Sequence, residues 1–432
     1  MNRTYIIPLS PVARFMATQL ACAGADPCIV LPQKMREVFL KSQSSITYIN
    51  RISRDNLFQR RHTFPSVSVD RLVSVCRPAE AVMERTYGST NESERVVLRM
   101  NARLSLVVPA SHVKTILNPN TSECPFIPPP DSDVIILNPH FGQVEGYVRA
   151  IRELYMDGER EPRIWSAICT HRVTNAPFWG VEHRSIGELK IARVPFTVVD
   201  GGDDYQDIAN VGHDEIVQSE LVKNILSIPM MLPQMQSYRQ QVMLTAEQTV
   251  VEAALSLATI EEYADGLAIG HLKVEDMVDF TEMAEIAHLE GSSGSDSAAR
   301  SMMLDIVTEA TRVLKRHRLV KQISVNSPVV NAVLSKERLY NLSLNIVNDH
   351  TLLTKLNYSF DSFRHFEGEL KDAYGCADTG GDTGGDVRSP PHAIHANRYI
   401  CELGSLFGIP TPANRKVCDL YEAAVAQSAS TP

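Results

Sequence analysis

The sequence lacks several patterns that would assign it to a class of protein at once. No two cysteines have CxxC spacing, and none of the eight stands with histidines at the spacing of a zinc site. Scattered cysteines of this kind are typical of free thiols in a reducing compartment. No apolar run reaches the roughly 18 residues that a membrane-spanning helix requires. We therefore expect a globular protein with no membrane span and no metal site.

Charge gives a further exclusion. The net charge of −9 excludes a strongly basic nucleic-acid-binding protein and leaves only a local basic surface open. The sequence shows no secretory signal, and no cleavable mitochondrial presequence is evident, because an apolar run begins already at Tyr5. Arg3 and Arg14, with no acidic residue before Asp26, leave an uncleaved targeting signal open.

The opening segment has the order of a dinucleotide-binding domain but not its glycines. The apolar run from Tyr5 to Leu9 predicts a strand, and the run from Val12 to Ala23 predicts a helix that ends at Gly24. In such a domain the turn between them carries GxGxxG, so that the backbone can approach a pyrophosphate. The three glycine positions hold Pro8, Ser10 and Ala13.

The first half of the chain alternates between apolar strands and helical segments. Such alternation predicts a parallel sheet that is covered on both faces. Lys34 follows the second strand, where it could meet a phosphate or simply begin a helix as a solvated side chain. The segment FWGVEHRSIGELKI, 178–191, predicts a hairpin. The further strands that we predict are Cys28–Leu31, Arg103–Val108, Asp133–Asn138 and Ile164–His171.

The second half of the chain has helical periodicity. A first helix is expected over 220–232, where Pro233 interrupts it, and a long one over 238–264. The acidic, glycine-rich stretch 375–391 predicts a mobile loop. We therefore predict an α/β domain over 1–218 and an all-helical domain over 219–432. Further helices are predicted over 268–289, 298–319, 336–354, 360–374, 394–407 and 413–425.

Three stretches, taken in order, resemble the ketopantoate reductase family. They are DVIILNPHFGQVE (133–145), ICTHRVTNAPFWGVEHRSIGELKIA (168–192) and ANRYICELGSLFGIPTPANRKVCDLY (396–421). The resemblance implies a Rossmann-like N-terminal domain and an all-α C-terminal domain like that of 6-phosphogluconate dehydrogenase. It also implies NADPH-dependent reduction of a 2-keto acid, which needs a cationic lysine to polarise the ketone and donate a proton.

The positions that this resemblance assigns to chemistry are largely substituted. The two lysine positions of the family hold Pro109 and Gln248, and the two asparagine positions of its long helix hold Glu252 and Ser256. Gln248 cannot carry the charge of a lysine. We therefore expect a non-catalytic member with no cofactor, or alternatively an NADP-dependent reductase with a shifted site. The matching positions that keep the residue type of the family are Asn138, Thr354, Asn357 and Ser359, and His392 takes the place of an acidic residue that binds substrate.

Degenerate members of the family occur in fungal mitochondria, and this chain resembles the translational activator of cytochrome b among them at Leu137-Asn138-Pro139. The resemblance implies a mitochondrial location, with the cytoplasm as the alternative, and a mitochondrial ribosome or mRNA as the partner. The basic stretches 51–71 and 312–321 could bind RNA, or be solvated surface. For Asn138 we favour a capping role, and for His171 and His183 hydrogen bonding within the fold.

Overall fold

The structure, a computed structural model, describes most of the two halves of the chain. Its residues divide into two units, the first ending at Gln241 and the second beginning at Val242. The helices predicted at 268–289 and 360–374 and the loop predicted at 375–391 lie outside the described residues. Those are 4–8, 10–31, 33–52, 58–68, 105–109, 132–152, 162–195, 219–266, 294–324, 329–348 and 392–430.

Strands dominate the first unit. In chain order they are β1 (Thr4–Ile6), β2 (Cys28–Leu31), β3 (Ser45–Asn50), β4 (Phe58–Thr63), β5 (Ser66–Ser68), β6 (Ser105–Pro109), β7 (Asp133–Leu137), β8 (Arg163–Cys169), β9 (Arg172–Ala176), β10 (Gly180–Ser185), β11 (Leu189–Arg193) and β12 (Pro233–Met235). The helices of this unit are α1 (Pro11–Cys22), α2 (Gln33–Lys41), α3 (Gln143–Arg152) and α4 (Glu220–Leu226).

The larger sheet has the strand order of a doubly wound nucleotide-binding fold. Its order is β12-β11-β8-β7-β6-β1-β2-β5, and the six strands from β8 to β5 run parallel. The order reverses between β1 and β6, because the chain moves from β1 to β2 and β5 on one side and then returns to β6, β7 and β8 on the other. The predicted parallel sheet is thereby confirmed, and strand β7 is buried along its whole length.

The segment 178–191 does not form the predicted hairpin. Strand β10 pairs antiparallel with β9 and parallel with β3, whereas β11 pairs with β8 and β12 in the larger sheet. The prediction was wrong because alternation along a segment shows that it is extended, but it does not show which strand it pairs with. Gly187 lies where the chain crosses from one sheet to the other.

Helix α1 lies between the two sheets. The smaller sheet has the order β4-β3-β10-β9, and α1 packs against its strands β3, β9 and β10 and against β6 of the larger sheet. Every residue from Ala13 to Leu20 is buried as a result. A helix that is buried between two sheets has little polar surface, which explains why the run from Val12 to Ala23 is mostly apolar, with Arg14, Thr18 and Gln19 as its buried polar residues.

The helix predicted over 220–232 is shorter in the structure. Helix α4 ends at Leu226, and a 3₁₀ turn at Pro229–Met231 follows. The residues Pro233–Met235 then form β12, which pairs with β11 at an edge of the larger sheet, a position where a strand tolerates proline. The segment 219–241, which the sequence assigned to the helical domain, therefore lies in the first unit.

All the secondary-structure elements described in the second unit are helices. Its helices are α5 (Tyr238–Gly266, which begins in the first unit), α6 (Gly294–Arg316), α7 (Arg318–Ser324), α8 (Val329–Val333), α9 (Lys336–Asn348), α10 (His392–Phe407) and α11 (Pro412–Ser430). Ile306, Ile394 and Val417 bring α6, α10 and α11 into one core. The Glu309 carboxylate accepts hydrogen bonds from the backbone N–H groups of Ala413 and Asn414 at 2.9 and 3.0 Å, and so caps α11.

Two glycines of the first unit provide a matched test of this fold. A Cβ at Gly187 would lie 2.2 Å from the carbonyl carbon of Thr170, so Gly187→Ala must displace backbone. We expect a loss of about 1–3 kcal/mol in the free energy of unfolding, measured by urea titration. A Cβ at Gly146, inside α3, meets nothing within 4 Å. Gly146→Ala should therefore stabilise by about 1 kcal/mol, and equal shifts for the two variants would contradict the described packing.

Candidate nucleotide-binding edge and the buried histidine pair

The strand order of the larger sheet locates a candidate site. In open α/β sheets ligands bind at the carboxyl ends of the strands where the order reverses, which is here the edge beyond β1 and β6. Pro8 and Ser10 follow β1, and Pro109 is the last residue of β6. The topology thus brings three of the substituted positions to one edge of one sheet.

A residue of the turn between β1 and α1 caps the N-terminus of the helix. Ser10 is the N-cap of α1, and its hydroxyl oxygen accepts the backbone N–H of Ala13 at 3.2 Å. Pro11, the first helical residue, has no N–H to donate. The Ser10 carbonyl accepts the N–H of Arg14 at 3.1 Å. The first three N–H groups of a helix are the ones that can bind a phosphate. Here Pro11 has none and the Ala13 N–H is bound to Ser10, so this turn does not fit a pyrophosphate.

The other predicted positions of this edge differ in what the structure describes. Asn138 has a positive φ of 48°, and its side-chain Oδ1 accepts the N–H of Cys169 at 2.8 Å. The side chain thus ties the end of β7 to β8. This bond to a neighbouring strand differs from the predicted cap of the helix or turn that follows β7. Lys34 lies in the first turn of α2, but its side chain lies outside the described residues, so its predicted contact with a phosphate stays a prediction.

The long helix α5 carries three of the predicted positions on one face. Gln248, Glu252 and Ser256 follow each other at intervals of four residues. Gln248 and Glu252 are half-buried, and burial raises the pKa of Glu252 to about 8. The Ser256 hydroxyl is buried and donates to the carbonyl of Ala253 at 2.6 Å. Ser256 therefore serves its own helix, and Thr354, Asn357, Ser359 and the His392 side chain lie outside the described residues.

A buried chain of hydrogen bonds that the sequence did not reveal joins the two sheets. The Tyr48 hydroxyl lies 3.1 Å from Nδ1 of His183, and Nε2 of His183 lies 3.1 Å from Nδ1 of His171. Nε2 of His171 lies 2.9 Å from the Met231 carbonyl oxygen. Both imidazoles are fully buried, and the ring of Phe15 from α1 covers them with centroid distances of 4.6 and 5.2 Å.

The partners determine where each proton lies. A carbonyl only accepts, so Nε2 of His171 carries a proton and its Nδ1 accepts from Nε2–H of His183. The N–H of Gly187, 3.2 Å away, donates to the same Nδ1. Nδ1 of His183 then accepts from Tyr48, and burial raises the pKa of that hydroxyl to about 12. Each ring thus carries one proton and is neutral, and a second proton on Nδ1 of His171 would face the N–H groups of His183 and Gly187.

Burial lowers the pKa of both histidines. The pKa of His183 falls to about 4, first because burial disfavours the charged ring and then because His171 lies beside it. Burial is also the largest cause for His171, and the Met231 carbonyl and Glu188 act against it. A neutral, buried chain that ends on a backbone carbonyl holds the strands together, in agreement with the hydrogen-bonding role predicted for His171 and His183.

Arg14 is the second feature that the sequence did not reveal. Its guanidinium, 2% exposed within α1, donates to the Gly180 carbonyl at 3.2 Å and to Oδ1 of Asn175. Both partners belong to the hairpin of β9 and β10. Arg14 therefore binds α1 to the smaller sheet. A single arginine within an apolar helical run was the signal in the sequence.

The two basic stretches differ in how their cations are used. Arg51 pairs with Glu182 at 3.1 Å, and Arg61 donates to the Ser45 hydroxyl at 2.6 Å, so both support the smaller sheet. The stretch 312–321, at the end of α6 and in α7, presents a row of exposed cations instead. They are Arg312, Lys315, Arg316, Arg318 and Lys321.

The residues that the structure describes include neither a membrane-spanning helix nor a cluster of metal-binding side chains. None of their helices is both long enough and apolar enough to cross a membrane. In the same part of the chain, no three histidine, cysteine or acidic side chains converge in a way that could hold a metal ion.

Comparison with solved structures identifies the fold. The chain is similar to a PanE/ApbA family ketopantoate reductase from Ralstonia eutropha, with a TM-score of 0.52 and 14% identity over 99% of both chains. It is also similar to yersinopine dehydrogenase solved with NADP⁺, with a TM-score of 0.52 and 13% identity over 99% of this chain and 91% of that one. No protein-family model and no curated protein matches the chain.

D-mandelate dehydrogenase, solved with NADH and anilino(oxo)acetate, is a further neighbour. Its TM-score is 0.50 and its identity is 11%, over 99% of this chain and 100% of that one. Identities this low show the fold alone. The predicted combination of a Rossmann-like α/β part and a helical C-terminal part is confirmed, and it is the fold of ketopantoate reductases.

The histidine pair predicts an acid-sensitive stability. Because the pKa of His183 is lower in the folded chain than its ordinary value near 6.5, the unfolded chain binds more protons in acid. The contribution is fully present above about pH 6.5 and is lost as the pH falls towards 4, by about 3 kcal/mol at most. Urea titrations between pH 7 and 4.5 measure it.

Two variants separate this effect from other titrations. His183→Phe lowers stability at every pH, but the difference from wild type should shrink as the pH falls. Lys41→Gln, at an exposed position of α2, should leave the pH dependence unchanged. A difference between wild type and His183→Phe that stays constant from pH 7 to 4.5 would show that the pair is not held neutral.

Proposed function

We propose that this chain is a reductase-fold protein that has given up catalysis and acts as a binding factor. The observation that carries the proposal is the turn before α1, where Ser10 caps the helix and Pro11 removes a donor. A Rossmann fold binds its cofactor by presenting such N–H groups to the pyrophosphate. A turn that uses them for its own closure does not supply that binding energy.

The substituted lysine positions support the same proposal. Reduction of a ketone by hydride needs a group that stabilises the developing negative charge on oxygen and supplies a proton. Pro109 ends β6 without an ionisable group, and Gln248 on α5 carries a neutral amide. The resemblance to ketopantoate reductases implies that these two positions hold lysines in that family.

The alternative is an NADP-dependent 2-keto acid reductase with a shifted site. It is favoured by the strand order, which keeps the crevice where such cofactors bind, and by neighbours of the same fold that were solved with NADP⁺ or NADH. A shifted site would have to draw its phosphate donors from elsewhere, for example from Lys34 in the first turn of α2.

A turnover assay separates the two functions. The purified chain is mixed with NADPH and a panel of 2-keto acids that includes ketopantoate, and NADPH oxidation is followed by absorbance. We expect no oxidation above the rate without keto acid, because the chain lacks both the phosphate turn and the cation. A ketopantoate reductase with an intact glycine turn serves as the positive control. Oxidation that depends on any keto acid would support the alternative.

The partner that we propose is RNA, bound in mRNA translation or on a ribosome. The support is the exposed row of cations at 312–321, which is suited to neutralising several phosphates although the chain as a whole is acidic. The stretch 51–71 is the weaker candidate, because Arg51 and Arg61 are engaged within the fold. The resemblance at 137–139 extends the proposal to a mitochondrial location, with the cytoplasm as the alternative.

Charge removal tests the RNA proposal. The triple variant Arg312→Ala, Lys315→Ala, Arg316→Ala should weaken binding of a single-stranded RNA oligonucleotide, measured by fluorescence anisotropy at several salt concentrations. If the three cations contact phosphates, the slope of log affinity against log salt should fall by about 2.

The control variant removes the same charge elsewhere. Lys41→Ala, Lys223→Ala, Lys416→Ala changes three exposed lysines outside both basic stretches, and should keep the salt slope of the wild type. Equal effects of the two triple variants would show that RNA binding depends on the net charge of the protein and not on the stretch 312–321. Wild-type protein that does not bind RNA at low salt would remove the RNA proposal.

A further inference from the structure

Two cysteines of the second unit meet across the last pair of helices. Cys401 lies on α10 and Cys418 on α11, and the register of these helices brings them together. Arg398 pairs with Glu422 at 2.8 Å, so one turn forward along α10 and one turn back along α11 lead to the two cysteines. Their thiols share a hydrogen bond.

The helices are in tight contact beside the pair. A Cβ at Gly404, three residues after Cys401, would lie 2.7 Å from Cγ2 of Thr411, so no larger residue fits without movement. Gly408, with a φ of 65°, turns the chain between the helices. The thiols are therefore held on a rigid helical hairpin rather than on mobile segments.

The surroundings of the two thiols are not equivalent. Cys401 is half-exposed and faces the Thr411 hydroxyl and the Arg415 guanidinium, which both favour its thiolate, while Glu309 acts against it. Cys418 is buried, and its thiol donates to Cys401. The hydrogen bond from Cys418 is the largest cause that lowers the pKa of Cys401. The same bond, and after it burial, raise the pKa of Cys418. We therefore assign Cys401 as the nucleophile and Cys418 as the resolving thiol.

We propose that Cys401 and Cys418 form a modification site, a dithiol that a hydroperoxide oxidises to a disulfide between α10 and α11 and that a thiol reductant restores by thiol–disulfide exchange. The Cys401 thiolate attacks one peroxide oxygen, the O–O bond breaks, and Cys401 becomes a sulfenic acid while hydroxide leaves and is protonated. Cys418 then loses its proton, its sulfur attacks the sulfur of Cys401, and water leaves. Two thiols are oxidised by two electrons and one hydrogen peroxide is reduced to two waters.

The expected product can be read directly from the sequence. Trypsin cleaves after Arg398, Arg415 and Lys416, so Cys401 and Cys418 fall on separate peptides, 399–415 and 417–432. The full-length protein is treated with hydrogen peroxide, alkylated, digested without reductant and analysed by mass spectrometry. We expect the two peptides joined by a disulfide as the main cross-linked product, and their release by dithiothreitol.

Internal controls come from the other thiols of the same sample. Cys22 is exposed but has no cysteine as its hydrogen-bond partner in the described structure, so it should be alkylated without joining another peptide. In guanidinium chloride the preference for the 401–418 pair should disappear, because it depends on the folded hairpin. Native, peroxide-treated protein in which both Cys401 and Cys418 are alkylated would overturn the proposal.

Single variants test the order of the two steps. In Cys418→Ser the sulfenic acid of Cys401 has no thiol to condense with, so dimedone should label residue 401. In Cys401→Ser, dimedone should not label Cys418. Circular dichroism checks that each variant is folded. The cross-link in the wild-type protein tests the disulfide even if a variant does not fold. Labelling of Cys418 in Cys401→Ser would contradict the assignment of Cys401 as the nucleophile.

Discussion

The burial of α1 between two sheets is the constraint on which the first unit depends. A helix covered on both sides must satisfy every polar group without water. Ser10 closes its start, Arg14 hydrogen-bonds to the β9–β10 hairpin, and Phe15 covers the histidine pair. Tyr48, His183 and His171 then link β3 and β10 to the larger sheet through neutral hydrogen bonds.

The sheet and the turn before α1 place different demands on the sequence. The strand order of the larger sheet depends on backbone pairing and apolar side chains, which place no demand on the turn at Pro8 and Ser10 beyond its direction. A pyrophosphate site makes the opposite demand, because it needs exposed N–H groups and no side chain in the turn. Ser10 and Pro11 stabilise the start of α1, and they leave fewer free N–H groups there for a pyrophosphate.

Much of the fold could be predicted from the sequence, because apolar strands alternate with helices and the three family-like stretches come in order. The predicted hydrogen-bonding role of the two histidines agrees with the structure, whereas Asn138 bonds to the neighbouring strand β8 instead of capping the turn or helix after β7. The smaller sheet could not be predicted, since β3 and β10 are more than a hundred residues apart and no local pattern records that pairing. For the same reason 178–191 was mistaken for a hairpin, and Tyr48 and Arg14 were overlooked.

We propose that the turn between β1 and α1 caps its own helix and does not hold a pyrophosphate. The most direct measurement is the equilibrium affinity of the purified chain for NADPH, obtained by titration of cofactor fluorescence. Because the turn offers few free N–H groups, we expect no saturable binding below millimolar NADPH. A dissociation constant in the micromolar range, about 7–8 kcal/mol of binding free energy, would contradict it.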